Sequence, residues 1–399
     1  MAKTNYQKIL KSSLSFNVLN RDLKLIFSTN FFGSFGDGLY AYLLPRYMTE
    51  ALNTSPTEIG ILYAIMSLTA ALTLFTAGMF ADKYDRKKIM IAGWIAWLPA
   101  PLIFSIARNW LQMLPGMILW GVWLGGPTGT AYIVTTAEKS KLTTTFTALS
   151  AAWSIGYTFS PALGGYIART TGMNIVFYLS SIFYGVATII LLFIKSQRTT
   201  LPTQKPEDKH SLFKLLKTRK LVALSAFFAS MMFVLMLMRP FVPKFLGEKY
   251  DYNDFEIGIF GSISFFGSGV LGMLLGKIGD RKRKAYALAG SMVLCCTSLA
   301  LLLLFNNFPI LIISFFLTGG SYLTWSLMSA VVGPLAPESI RARWVCIPQS
   351  ISMLSSFIAP YIGGVLYENS PYYPFLVTIA ITPILAVLSF AKILDEQQL

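Results

Sequence analysis

Charge is scarce in this chain. Only 13% of its 399 residues are Asp, Glu, Lys or Arg, against about a quarter in a soluble domain. Histidine occurs once, as His210, outside every long apolar run, so no histidine relay can run through such a run. The three cysteines, Cys295, Cys296 and Cys346, lie in or at the end of apolar runs. They read as small packing residues, not as a disulfide framework or a metal site. No phosphate-cradling Walker loop is present, which leaves no sign of ATP-driven work. No His/Asp/Glu cluster falls within the apolar runs, so neither an intramembrane protease nor a resident metal is indicated, and no cofactor is expected. Residues 1–24 lack an early apolar core and a small-residue cleavage site. The first apolar run is therefore expected to remain as an anchor.

Apolar residues make up 54% of the chain, and mean hydropathy is +0.59. A membrane span needs about 20 apolar residues. Runs of that kind recur at 24–47, 57–80, 88–108, 111–134, 144–168, 174–195, 221–246, 257–277, 285–305, 308–333, 346–367 and 372–392. With no water in the bilayer core, each such run must be a helix, which satisfies its own backbone. The expectation is an all-α membrane protein of twelve transmembrane helices.

The net charge of +15 could suggest nucleic acid, but its distribution argues for topology. With the N-terminus inside, the inner side holds 27 of the 33 Lys and Arg. The other six, Arg46, Arg108, Arg169, Arg239, Lys244 and Lys249, fall on or near the outer side, where seven acids of the outer loops roughly balance them. This is the positive-inside bias, and it puts both termini in the cytoplasm of a multi-pass plasma-membrane protein. The basic inner face suits anionic lipid; nucleic acid is not expected.

The chain is also written twice. At an offset of 198 residues, Pro45 meets Pro243, Arg46 meets Lys244, and "EIGI" at 58–61 meets "EIGI" at 256–259. Gly78 and Asp82 meet Gly276 and Asp280, and at 199 "FSPALGG" (159–165) meets "IAPYIGG" (358–364). Six spans return each half to the inner side, so the repeat keeps its orientation and implies a pseudo-two-fold axis along the membrane normal. The expected units are a six-helix bundle over 1–195, a cytoplasmic linker with a surface amphipathic helix over 196–220, and a second six-helix bundle over 221–399.

This pattern of twelve spans, two halves and a long middle loop resembles the major facilitator superfamily. The knot "GMFADKYDRKK" (78–88) is similar to the family signature after span two, with Gly78, Ala81, Asp82, Arg86 and Lys87 matching and Asp85 standing where the signature has a glycine. The resemblance implies a latch bracing the halves, carried by Gly78, Asp82 and Arg86 and, in the second copy, Gly276, Asp280 and Arg281. "SIGYTFSPALGG" (154–165) resembles the antiporter signature of span five. It implies a bent, tightly packed hinge at Gly156, Pro161, Gly164 and Gly165, echoed by Pro360, Gly363 and Gly364. An arginine that many proton-coupled members carry in span four is replaced by Met117, so that route does not speak for proton coupling.

Asp37, near the middle of span one, is the clear intramembrane charge. Such a charge costs ~2.5–3.5 kcal/mol on insertion scales, and intramembrane acids usually mark transport pathways. Its repeat partner is Leu235, and Arg239 lies one turn outward of that level in span seven. Asp37 and Arg239 are expected to approach one another when the outer side closes and to couple protons to substrate. Tyr40, Trp120, Trp123, Tyr322 and Trp325 are candidates for the cavity wall, since the resemblance puts spans one, four, seven and ten around it. Aromatic walls with few charges suit a bulky, apolar or weakly cationic substrate. The expected function is non-enzymatic: a monomeric secondary transporter, working by alternating access and exporting amphipathic or lipophilic compounds against protons. The alternatives are uptake or exchange of a small metabolite such as a sugar or organic acid, and a membrane sensor.

Overall fold

The computed structural model describes residues 19–138, 141–198, 218–332 and 341–391. Among these, the chain is helical throughout. The helices are α1 (Arg21–Ala41), α2 (Leu44–Leu52), α3 (Pro56–Lys83), α4 (Arg86–Trp97), α5 (Pro99–Ile106), α6 (Trp110–Trp120), α7 (Gly125–Thr136), α8 (Leu142–Thr171) and α9 (Met173–Leu191). They continue as α10 (Arg219–Met238), α11 (Val242–Tyr250), α12 (Asp254–Arg281), α13 (Lys284–Leu304), α14 (Phe308–Thr318), α15 (Thr324–Val332), α16 (Arg341–Asn369) and α17 (Tyr373–Leu388). Short 3₁₀ turns, Arg239–Phe241 and Gly319–Leu323, join α10 to α11 and α14 to α15.

Eight helical stretches among the described residues are long and apolar enough to cross a membrane. The expected spans 24–47, 111–134, 144–168 and 372–392 are not among those eight, and each has a visible reason. The first carries Asp37 and breaks between α1 and α2, and the fourth breaks between α6 and α7. α8 is diluted by Ser, Thr and Gly. α17 has 16 residues, about 24 Å at 1.5 Å per residue, short of a ~30 Å hydrocarbon core. The linker expected over 196–220, including its amphipathic piece, lies largely outside the described residues.

The repeated sequence signals have repeated structural jobs. Ser55 and Glu58 form a capping box at the start of α3, and Asn253 and Glu256 form one at the start of α12. The glutamate of each "EIGI" therefore satisfies orphan backbone donors at a helix start. Two residues before each cap, Asn53 (φ 51°) and Asp251 (φ 57°) end the preceding short helix in the left-handed conformation, which Asn and Asp tolerate better than most residues.

The glycines of the same motifs set the helix crossings. α3 packs along α16, α12 along α8, α1 along α8, and α10 along α16. A Cβ on Gly60 would strike the carbonyl of Pro360, and one on Gly258 would strike that of Pro161. Gly164 faces the backbone of Leu39, and Gly363 that of Leu237; Gly165 faces Asp254, and Gly364 faces Pro56. Each contact thus occurs twice at the repeat offset, with backbone against backbone, as small residues permit between membrane helices. A side chain at Gly258 is expected to cost about 1–3 kcal/mol by overpacking. Gly276 has nothing within 4 Å of a built Cβ, so Gly276→Leu is expected to leave thermal stability unchanged or raised, whereas Gly258→Leu lowers it; melting of the purified protein in detergent compares the two.

Candidate functional site

Asp37 sits on α1 between two glycines, and those glycines decide its surroundings. A Cβ on Gly36 would meet Phe183 and the Ser180 carbonyl of α9, and one on Gly38 would meet Ser160 and Tyr157 of α8. The neighbouring helices therefore close tightly around the acid, which is 4% exposed. Four neutral donors fill the cage. Trp120 Nε1 donates to Oδ1 at 2.6 Å, Tyr184 OH at 2.5 Å and Tyr40 OH at 3.4 Å. The Tyr157 hydroxyl donates to Oδ2. The Tyr40 and Tyr184 oxygens are also 3.1 Å apart, so the single Tyr40 hydrogen is shared between Oδ1 and the Tyr184 oxygen. The donors come from α1, α6, α8 and α9, and no cation among the described residues pairs with the carboxylate. Bonds to a charged acceptor are worth about 1.5–3 kcal/mol each, and the four together offset part of the cost of burying a carboxylate in an apolar bundle.

Arg239 does not meet Asp37. Its Nη2 donates to the Ser321 carbonyl at 3.2 Å, and its guanidinium lies 4.2 Å from the centre of the Tyr322 ring. Its buried Nε has no hydrogen-bond partner. The expected ion pair is replaced by a stack of rings. Tyr157 stacks on Phe265 (4.5 Å, 25°), and Phe265 on Tyr322 (5.1 Å, 25°). Acid and base are thus the two ends of one aromatic column that crosses from α8 to α12 and the 3₁₀ turn. They stay apart although α2 and α3 are tied to later helices at this end of the molecule. There Arg46 pairs with Asp254 at 2.9 Å, Lys244 donates to Thr49 at 3.0 Å, and Thr57 bonds Glu368.

Of the candidate wall residues, Tyr40 and Trp120 join the Asp37 cage. Trp123 instead packs with Trp97 and Trp153 (centroids 5.4 and 6.4 Å), Tyr322 serves the column, and Trp325 lies half-buried against the apolar core on α15. Tyr157 and Tyr184 were not singled out from the sequence, although Tyr157 stands four residues before the kinking Pro161.

Of the expected latch residues in the first copy, Arg86 makes contacts within its own repeat. Arg86 is buried and donates to Gln197 Oε1 (2.7 Å), Thr135 Oγ1 (2.8 Å) and the carbonyls of Ala131 (3.1 Å) and Ala81 (3.3 Å). All of these precede residue 198, so Arg86 ties the segment after α9 to α3 and α7, and among the described residues it has no hydrogen-bond partner in the second repeat. Asp85, in place of the signature glycine, caps α4 by accepting from Lys87 N (3.0 Å), and also holds Gln197 N (3.1 Å) and the Ser196 hydroxyl. The side chains of Gly78 and Asp82 lie outside what the structure describes. In the second copy Gly276 borders open space, and Asp280 and Arg281 are exposed, so no close helix approach forms there. The expected hinge residues Gly156, Gly164, Gly165, Gly363 and Gly364 all lie at close backbone approaches, with Pro161 and Pro360 inside α8 and α16.

The Major Facilitator Superfamily family model matches residues 26–253 and 231–398. The chain belongs to the major facilitator superfamily. It is therefore a multi-pass membrane transporter of small molecules and not an enzyme. It is 24% identical over 371 residues to multidrug resistance protein 2 of Bacillus subtilis, covering 88% of this chain and 90% of that one. It is 23% identical over 372 residues to the quinolone resistance protein NorA of Staphylococcus aureus, covering 89% and 93%. The nucleoside transporter NupG shares the fold at a TM-score of 0.73 and 14% identity, covering 93% of this chain and 96% of that one. A POT family transporter in complex with 5-aminolevulinic acid does so at a TM-score of 0.74 and 14% identity, covering 94% and 96%.

The superfamily knot gives a pH test. Burial pushes the Asp85 carboxyl up, but the Ser196 hydroxyl, the amides of Gln197 and Lys87 and the nearby Lys88 ammonium outweigh it and hold the group below its ordinary 3.8. A carboxyl so depressed stabilises its contacts above the unfolded value, and that contribution is lost as pH falls through the folded one. A spin label at exposed Arg198 is expected to keep one mobility from pH 7 to about pH 4 and to loosen below that range. In Asp85→Asn it is loose throughout.

Proposed function

We propose that this transporter is a proton-coupled exporter of amphipathic or lipophilic compounds, working by alternating access. In this reading the chain is a monomer of twelve spans in two six-helix halves (1–195 and 221–399) related by a pseudo-two-fold axis, joined by a cytoplasmic linker (196–220), in the plasma membrane with both termini cytoplasmic. The observation that carries it is the Asp37 cage: a buried acid served only by neutral donors, at one end of a column of rings that joins α8 to α12. The likeness to a multidrug resistance protein and a quinolone resistance protein supports a role with drug-like molecules, and the fourfold aromatic cage supports substrates rich in apolar surface.

The coupling follows from donor and acceptor counting. An ionised carboxylate accepts all four bonds; a protonated one carries a hydrogen of its own and must donate it. One donor then loses its acceptor, and among the described residues Tyr157 is the one partner of Oδ2. Releasing Tyr157 loosens its stack on Phe265 and, through it, the Tyr322–Arg239 contact. Proton binding at Asp37 is thereby felt between the two halves, and the halves swing about this level. Gly156, Pro161, Gly164 and Gly165, with Pro360, Gly363 and Gly364, are the crossings about which they turn.

The test uses the purified protein in liposomes with an imposed pH gradient. A lipophilic cationic dye is expected to move with the gradient in wild type, and about tenfold or more slowly in Asp37→Asn, with dye binding retained. Tyr157→Phe is expected to bind dye and to lose most gradient dependence. Gradient-driven movement of a sugar or organic acid, with no movement of dye, would overturn the proposal.

A further inference from the structure

A second aromatic feature lies beside the cage. Portions of α1, α4, α7 and α8, with the link from α6 to α7, line a half-open cavity of about 230 Å³, and its described lining residues all belong to the first repeat. Four tryptophans line it: Trp94, Trp97, Trp123 and Trp153. The Trp94 and Trp153 rings are nearly parallel, at 19° and 6.4 Å between centroids. Part of the remaining wall is helix backbone without side chains, supplied by Gly125, Gly126 and Gly129 of α7. A Cβ on Gly125 would meet nothing within 4 Å, and one on Gly129 only the Met90 methyl at 3.7 Å. Flat indole faces together with a bare helix surface make a slot more than a round hole. Among the described residues its polar side chains besides the indoles are those of Asn30, Thr130 and Ser150, and no Asp, Glu, Lys or Arg lines it.

These features select a ligand. The volume falls below the ~300–1,000 Å³ of pockets for drug-sized molecules, which suits two or three fused rings. An uncharged lining penalises an ion that would shed its hydration without a partner. Offset stacking on indoles, with centroids 4.5–7 Å apart, rewards flat aromatic faces. We propose that the cavity is a binding site for neutral, planar, fused-ring aromatic molecules carrying one polar group, formed within the first repeat alone and distinct from the space between the repeats. The inference rests on the reading of the chain as a transporter of lipophilic compounds, and it gives that reading a shape-selective site. Trp153 stacks on Tyr157 (6.0 Å, 20°), and Trp94 and Trp97 pack on Tyr184 (5.9 and 5.8 Å). The ligand would therefore press on two of the three tyrosines that hold Asp37.

The probe is carbazole, flat and neutral with one N–H, against adamantane, of comparable bulk but globular. Binding to the full chain in detergent is read by quenching of tryptophan fluorescence and by calorimetry. Saturable carbazole binding is expected, about tenfold or more tighter than adamantane. Gly125→Leu should fill the slot and cut carbazole affinity by a similar factor. The helix tolerates it, since leucine is the better helix former, and melting checks the fold; Gly276→Leu is the control that keeps full affinity. Equal binding of the two probes, or unchanged carbazole binding in folded Gly125→Leu, overturns the site. Dye transport driven by a pH gradient separates the two claims. If wild type moves dye through Asp37 but does not bind carbazole, the site fails and the exporter reading stands. If carbazole binds selectively but no gradient moves dye, the site stands and that reading falls.

Discussion

A carboxylate held in an apolar helix bundle must have its hydrogen bonds made for it, and most of the first repeat is arranged around that need. Asp37 draws one donor from its own helix and one from each of three others. A cation would also satisfy it, but would fix its charge; neutral hydroxyls and an indole leave the group free to exchange a proton without stranding a buried positive charge. The glycines at 36 and 38 belong to the same arrangement, because only their lack of side chains lets α8 and α9 come close enough to donate.

Tight backbone crossings extend this logic across the molecule. Gly60 on Pro360 and Gly258 on Pro161 join early helices to late ones, while Gly164 on Leu39 and Gly363 on Leu237 join helices within each repeat. Such contacts gain from close van der Waals packing where lipid offers no hydrophobic driving force. They also concentrate contact at a few points, which suits rocking better than a broad interdigitated face would. Charged ties such as Arg46 to Asp254 can break and re-form in water at modest cost.

Much of this was legible in the sequence. Helix class followed from hydropathy, and duplication from the 198-residue offset. The close crossings followed from glycines beside prolines, and the central acid from its lone charge. Other parts depended on three-dimensional placement that no periodicity encodes. Nothing local marks Tyr157 and Tyr184 as partners of Asp37, which lies 120 and 147 residues away. The expected Asp37–Arg239 pair presumed facing spans with nothing between them, whereas Phe265 supplies a ring that fills the gap. Arg86 matched the family signature, but its bonds among the described residues go to its own repeat. Asp85, a departure from that signature, proved to be a helix cap, a role that Asp fills well at the position before a helix.

The central claim is that Asp37 changes protonation as the transporter binds and releases its substrate. Infrared difference spectroscopy of the purified protein reads this directly, through the C=O stretch of a protonated carboxyl on adding a lipophilic cationic dye. The expected result is a carboxyl band that changes with dye and with pH in wild type and is missing in Asp37→Asn. A dye that binds with no change in any carboxyl band, or with the same band in Asp37→Asn, would contradict it.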